Sequence, residues 1–120
     1  MNKVFLKGRL ARDPELRYTT NNTPVATFTL AIGRKTKDNE NKVDFINCVA
    51  WGKTGEFVSK YFKKGQEILA VGRIQVRDYE KDGKKVYVTE VIIEEVEFCR
   101  SKNGQIEVNY ADSPDDDLPF

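Results

Sequence analysis

The stretch VDFINCVAWGK, residues 43–53, is the most strand-like segment of the chain and decides its fold. It is rich in β-branched and aromatic residues and is closed by a glycine. Successive side chains of a strand point to opposite faces. One face then carries compact apolar side chains, which are Ile46, Cys48 and Ala50. The other carries two rings with a polar residue between them, in the set Phe45, Asn47, Val49 and Trp51. If the compact face is the core, both rings stand outside the sheet, either open to a ligand or covered by a second layer or a subunit.

Length and composition indicate one soluble domain. The chain has 120 residues, of which 39% are hydrophobic and 32% charged, a normal composition for a globular protein. No apolar run approaches the roughly 18 residues of a membrane span. The opening MNKVFLKGRL lacks the apolar core of a signal peptide. We therefore expect a cytoplasmic protein.

The titratable residues disfavour an enzyme and favour a polyanionic partner. The chain has no histidine, and its two cysteines, Cys48 and Cys99, lie far apart without a CxxC motif. We expect free thiols, no metal, no cofactor and no catalytic residues. The net charge of +1 combines a basic body, +5 over residues 1–111, with four aspartates in residues 112–120. Such asymmetry is typical of chains that bind polyanions.

Alternation predicts four further long segments as strands, over residues 3–10, 25–35, 66–79 and 85–98. Leu16–Tyr18 is a candidate short strand. Asp82-Gly83 predicts a hairpin turn between the last two long strands. The only convincing helix is Thr54–Lys64, with Thr54 as N-cap, Glu56 in the first turn and Gly65 as the stop. The predicted order is three long strands, a short helix and two long strands.

That order is typical of an OB-type barrel, and the sequence resembles the bacterial (or phage) single-stranded DNA-binding protein family. The resemblance rests on blocks in the family's order: NKVFLKGRLARDPELRY, PVATFTLAI, FINCVAWGK, GRIQVRDYEKDGKKVYVTEV and DDDLPF. It implies an all-β, five-stranded OB-fold Greek-key barrel with one short helix between the third and fourth strands. It divides the chain into a DNA-binding and oligomerisation domain over residues 1–100, a short linker over 101–111 and an acidic tip over 112–120.

The resemblance also implies which side chains contact single-stranded DNA. Bases stack on rings of the third strand and of the last hairpin, which here are Phe45, Trp51 and Tyr79. The loop TKDNENK carries no ring near Thr36 or Lys37, where the family often has one. Residue type and position make eleven cations candidates for phosphate contacts, Arg73 and Arg77 before the others: Lys3, Lys7, Arg9, Arg34, Lys35, Lys37, Lys53, Arg73, Arg77, Lys84 and Lys85.

The end of the chain is expected to be a disordered acidic tail. By resemblance, its tip is a docking peptide that recruits replication, recombination and repair proteins, and it comprises Asp115, Asp116, Asp117, Leu118, Pro119 and Phe120. A solubility tail is the alternative that composition alone favours. The resemblance further implies a homotetramer located with the nucleoid. Phe5 and Tyr87 contact either DNA or a neighbouring subunit on this interpretation.

Three other functions fit parts of the sequence. An RNA-binding barrel shares the fold but is expected to lack the DDDLPF end. A protein-interaction barrel of the primosomal type would bind DNA weakly and form a dimer. An enzyme is the least compatible alternative, since neither a histidine nor a glycine-rich phosphate loop is found in the sequence.

Overall fold

The computed structural model describes residues 1–99, so the predicted linker and tip lie outside the described residues. The chain forms six strands and one helix: β1 (Val4–Leu10), β2 (Glu15–Tyr18), β3 (Pro24–Lys35), β4 (Asn41–Trp51), α1 (Gly52–Tyr61), β5 (Glu67–Lys81) and β6 (Lys84–Phe98). The five long strands match the predicted ones. β2 is the candidate short strand, and counting it places the helix between β4 and β5.

The five long strands close into a barrel. The sheet runs β1-β5-β6-β4-β3-β2, and an additional β1–β3 pairing joins its two sides. All pairings are antiparallel except β4 with β6, which run parallel from Cys48↔Val91 to Ala50↔Ile93. Closure pairs the central parts of the long strands on both sides and leaves β2 as an outer edge strand beside β3. The predicted five-stranded OB-type barrel is confirmed.

The inner faces of the strands supply the core, as their alternation predicts. In β4, Cys48 and Ala50 are buried, and Ile46 packs against the core from its margin. The helix closes one end of the barrel with Val58, and Phe62 follows it with its ring stacked on that of Phe98 at 4.7 Å. The core cluster comprises Leu10, Ala26, Phe28, Leu30, Cys48, Ala50, Val58, Phe62, Ile68, Ala70, Val91, Ile93 and Val96.

The predicted bounds of the helix are wrong. The helix begins at Gly52 rather than Thr54, its cap residue is Trp51, and no side chain caps it. Gly52 has a φ of 63°, a left-handed conformation that turns the chain directly from β4 into the helix. The helix ends at Tyr61 because Phe62 is already extended. No helix within residues 1–99 has the length and apolar character needed to cross a membrane.

Both long hairpins extend further than predicted. β3 ends at Lys35 as predicted, but β4 begins at Asn41, two residues before the predicted strand, so the polar loop shortens to residues 36–40. The turn between β5 and β6 is Asp82-Gly83, with φ values of 55° and 79° as a type I′ turn requires. Beyond the bulge at Val71/Gly72 this hairpin projects past the core, and residues of β5 on both faces become exposed.

Candidate nucleic-acid interface

The outer side of β4 presents two open rings. Phe45 is 64% exposed and Trp51 is 49% exposed, while Cys48 and Ala50 on the inner side are buried. Strand alternation produces this division, since the rings occupy odd positions and the core residues even ones. Asn47 lies between the rings, and its Oδ1 accepts a hydrogen bond of 3.4 Å from the Thr29 hydroxyl. The strand therefore offers two flat apolar surfaces separated by polar atoms.

The strand register extends this surface to β5. Val49 of β4 pairs with Thr27 on one side and Ile92 on the other, and Ile92 pairs with Arg73. Paired residues point to the same face of a sheet, so the row from Thr27 to Arg73 lies on the face that carries the rings. Val49 and Ile92 in the middle of the row are themselves buried, each 8% exposed. Trp51 is the next residue of β4 on that face. We call this surface the ring face; it carries Phe45, Asn47, Val49, Trp51, Arg73, Arg77 and Tyr79.

Arg77 and Tyr79 follow Arg73 at alternate positions of β5. Tyr79 is 45% exposed and pairs with Val86, while Arg77 pairs with Val88. Their positions put a third ring and two cations on the projecting hairpin, on the face that Arg73 shares with β4. The structure thus places all three predicted stacking residues and the two preferred cations on the same side of the sheet.

A buried carboxylate that the sequence analysis did not single out holds one of these cations. Glu90 is 7% exposed, and its Oε1 accepts a hydrogen bond of 2.8 Å from Nε of Arg77. Gln75 is the cross-strand partner of Glu90 and accepts a hydrogen bond from Nη1 of Arg73 at 2.9 Å. The sequence did contain a signal for this residue, because Glu90 is a charged residue within a Val/Ile-rich strand. Bonding through Nε leaves both terminal nitrogens of Arg77 available for an anion.

Of the predicted cations in β1 and immediately before it, only Arg9 shares a cross-strand row with a ring of β4. Arg9 is in a row with Ala31 and Phe45 on the outer surface, although its Nη1 donates to the Gly65 carbonyl at 2.9 Å. Lys7 pairs with Leu69, whose other partner is Glu97. Lys3 forms an ion pair with Glu94. Lys3 and Lys7 therefore stand beside carboxylates, away from the two β4 rings.

The remaining predicted cations are dispersed around the hairpins and the helix. Arg34 bonds both carboxylate oxygens of Asp44 through Nε, at 2.9 and 3.1 Å, and Lys85 lies 3.7 Å from an oxygen of Asp78. No ion pair within residues 1–99 engages the four others, which are Lys35 at the end of β3, Lys37 in the loop, Lys53 in the first helical turn and Lys84 at the hairpin turn. These side chains lie on separate elements and do not form one cluster.

Neither thiol is arranged for metal binding or nucleophilic chemistry. Burial raises the pKa of the Cys48 thiol to about 12, and burial and the Glu67 carboxylate raise that of Cys99. Both cysteines are free, as predicted. No cluster of three or more metal-ligating side chains is found in residues 1–99. Within residues 1–99, the side chains best placed to contact a ligand are therefore the exposed rings and cations.

Known proteins are similar in sequence to this chain, including the whole of its described part. The sequence model of the single-strand binding protein family matches residues 1–99. A single-stranded DNA-binding protein of Bacillus cereus is 53% identical over 107 residues, covering 87% of this chain and 63% of that protein. Single-stranded DNA-binding protein A of Bacillus subtilis is 50% identical over 107 residues, covering 87% of this chain and 62% of that protein. Single-stranded DNA-binding protein 3 of Streptococcus agalactiae is 41% identical over 137 residues, covering 100% of this chain and 99% of that protein.

The chain thus spans somewhat under two thirds of the two Bacillus relatives and nearly all of the streptococcal one. These matches and the barrel agree with the resemblance read from the sequence blocks. The chain belongs to the single-strand binding protein family.

Proposed function

We propose that this protein binds single-stranded DNA without reading its sequence and protects exposed strands. The observation that carries the proposal is the open pair of rings, Phe45 and Trp51, on a face continuous with Arg73. Every base has a π-face, so stacking on a ring tolerates any sequence and contributes about 1–3 kcal/mol per base. Cations on the same face neutralise phosphates. The proposed activity is binding, with no reaction to catalyse.

The geometry favours single strands over duplexes. In a duplex the bases are stacked on one another, so their faces are closed to Phe45 and Trp51. An unpaired strand can turn its bases onto the rings while its phosphates follow Arg73, Arg77 and the other cations. The relatives' names describe the same ligand, single-stranded DNA.

Tryptophan fluorescence tests the proposal directly. Trp51 is the only tryptophan, so any change in indole emission reports on the ring face. We expect oligo(dT) to quench the emission strongly and a duplex of equal length to quench it weakly. The affinity should fall with salt, with a slope of about 0.7 for each phosphate neutralised on a single strand. Indole emission that is indifferent to oligo(dT) at low salt would overturn the proposal.

The same titration separates the rival barrels. An RNA-binding barrel would prefer oligo(U) to oligo(dT) at equal length and salt. A protein-interaction barrel of the primosomal type would bind both weakly. We expect tight binding of oligo(dT), which would exclude both alternatives.

We further propose that the tip DDDLPF recruits replication, recombination and repair proteins. Its composition supports this: an apolar ring, a carboxylate and several aspartates suit a hydrophobic pocket with a basic rim. The acidic tip also competes with DNA for the basic surface. Deleting residues 112–120 should therefore strengthen oligo(dT) binding at low salt and abolish co-purification of such proteins. Unchanged DNA affinity and an unchanged set of co-purifying proteins would contradict the proposal.

Oligomerisation is proposed through a second outer surface. We call it the β1 face; Phe5, Lys7, Leu69, Val71, Glu95 and Glu97 form its two cross-strand rows. It combines exposed apolar side chains with charges of both signs, which suits contact with another copy of itself. A homotetramer is the assembly we expect from light scattering of the full chain. A monomer at micromolar concentration would contradict it. Fluorescence microscopy of a tagged chain tests the expected cytoplasmic, nucleoid-associated location.

A further inference from the structure

The edge strand β2 extends the ring face on the side away from β5. Arg17 of β2 pairs with Val25 of β3, and Val25 pairs with Trp51. These three residues form one row on the outer surface. Neighbouring strands lie about 4.8 Å apart, so the backbone of Arg17 is about 10 Å from that of Trp51. A strand of DNA that leaves Trp51 across β3 reaches β2 next.

A depression opens at this place, next to Trp51. Its volume is about 440 Å³, and it is lined by Glu15, Arg17, Tyr18, Thr19, Val25 and Thr27. Tyr18 is 58% exposed, and the Arg17 side chain is still more exposed. Neighbouring residues of a strand normally point to opposite faces, but at this outer edge of the sheet Arg17 and Tyr18 both line the depression. The depression thus combines a ring, a guanidinium and hydroxyl groups.

We propose that this depression is a further nucleotide subsite, with a base stacked on Tyr18 and a phosphate bound by Arg17. The inference rests on the proposed single-stranded DNA binding and extends it to residues outside the predicted site. A nucleotide needs a flat apolar surface for its base and a cation for its phosphate, and the depression supplies both within one residue of each other. It lies in the same surface row as Trp51, so one strand can occupy both places.

The present partner of Arg17 is weak enough to be replaced. One terminal nitrogen of Arg17 lies 3.1 Å from Oε1 of Glu15, and both side chains are mostly exposed. Exposed ion pairs contribute little to stability, so a phosphate can take over the guanidinium at small cost. The carboxylate of Glu15 also repels a phosphate, because both groups carry negative charge. Glu15 should therefore weaken binding at this subsite.

Length-dependent affinity in the full chain tests the subsite. Oligo(dT) of about 4 and about 16 nucleotides represents the two ends of the site-size range of an OB fold. Tyr18→Ala should weaken binding of the longer oligonucleotide by on the order of tenfold and leave the shorter one unchanged. Tyr18→Phe keeps the ring and should keep the affinity. Arg17→Gln should lower the salt slope for the longer oligonucleotide by about 0.7. Glu15→Gln should tighten its binding.

The outcomes separate this inference from the proposed function. If the wild-type indole is quenched by both oligonucleotides while Tyr18→Ala and Arg17→Gln bind like wild type, the subsite is refuted and the function stands. If the wild-type indole responds to neither, the proposed function fails first.

A second measurement needs no variant. Wild-type protein is photocrosslinked to an oligonucleotide carrying 5-iodouracil, and the modified peptide is identified by mass spectrometry. An adduct on Tyr18 supports the subsite. Adducts confined to Phe45, Trp51 and Tyr79 would overturn it, including in the case where Tyr18→Ala fails to fold.

Discussion

The ring face and the β1 face both expose large apolar side chains, and exposure alone does not distinguish them. Phe5 on the β1 face is 73% exposed, slightly more than Phe45 on the ring face. Each face also carries cations, Lys7 on one and Arg73 on the other. A survey of exposed rings beside basic residues would therefore assign both surfaces to DNA.

The acidic residues distinguish the two faces. On the β1 face, Phe5 shares a cross-strand row with Val71 and Glu95, and Lys7 shares one with Leu69 and Glu97. On the ring face the corresponding row carries Val49, Ile92 and Arg73 without a carboxylate. The carboxylate that this face does carry, Glu90, is buried and paired with Arg77. From these charges we expect a phosphate backbone to be repelled from the first surface and attracted to the second. The charges next to a ring, rather than its exposure, thus indicate which partner it contacts.

The largest expected effect comes from removing both rings of the ring face. With about 1–3 kcal/mol per stacked base, Phe45→Ala combined with Trp51→Ala should weaken oligo(dT) binding by between about 30-fold and about 10⁴-fold. The measurement is fluorescence anisotropy of a labelled oligonucleotide, since the double variant lacks the indole. Both side chains are exposed, so the thermal melt should change little.

Phe5→Ala is the matched control for that variant, because it removes an equally exposed ring from the β1 face. A short oligo(dT) should bind this variant as it binds wild type. If Phe5→Ala cost as much affinity as the ring-face variant, the distinction between the two faces would be lost.

The β1 face should instead govern assembly. Leu69→Asp adds a charge among the apolar side chains of this face and beside Glu97, its cross-strand partner. We expect light scattering to show a smaller assembly for this variant, while quenching of Trp51 by a short oligonucleotide persists. An unchanged assembly mass in a folded variant would refute the proposed role of this face.

Sequence analysis correctly predicted which side chains share a face of an individual β-strand. It did not predict which residues of other strands lie beside them. The alternation in β4 correctly separated Phe45 and Trp51 from Cys48 and Ala50 because the period of a strand is local. Whether Lys7 stands near those rings depends on how β1 pairs with β5, and the period of β1 carries no such information. The Lys7–Leu69–Glu97 row therefore could not be foreseen.

Three other features depended on backbone conformation and on contacts between strands. Thr54 resembled a helix cap in sequence, but the left-handed turn at Gly52 starts the helix earlier. Glu90 is buried and accepts a hydrogen bond from Arg77, which the pairing of β5 with β6 brings beside it. The pairing of Arg17 with the row of Trp51 likewise required the position of β2 at the edge of the sheet.

A smaller effect concerns the salt dependence of binding. Arg73→Gln and Arg77→Gln should each lower the slope of log K against log salt by about 0.7 on a single strand, because each removes one proposed phosphate contact. Lys7→Gln, on the β1 face, should leave the slope unchanged. Oligo(dT) titrations at several salt concentrations provide the measurement.

Arg77→Gln needs its own control, because it removes the charged partner of the buried Glu90 carboxylate. An unpaired buried polar group costs about 1–3 kcal/mol of folding stability. Combining Arg77→Gln with Glu90→Gln removes both charges and should restore stability without restoring the slope. A larger slope change in Lys7→Gln than in either arginine variant would reverse our assignment of the two faces.

The smallest effect uses the two thiols to probe the charges around Cys99, next to the β1 face. The pKa of Cys99 is raised first by burial and next by Glu67, whereas Lys7 lowers it. At a pH below that pKa, alkylation follows the thiolate fraction. Glu67→Gln should therefore speed alkylation of Cys99, and Lys7→Gln should slow it. Cys48 is the internal reference, because burial raises its pKa to about 12 and it should react only after unfolding. A change in the accessibility of Cys99 would change its alkylation rate in the same direction in both variants. Opposite changes in rate would therefore identify the two charges as the cause. Changes in the same direction would contradict this prediction.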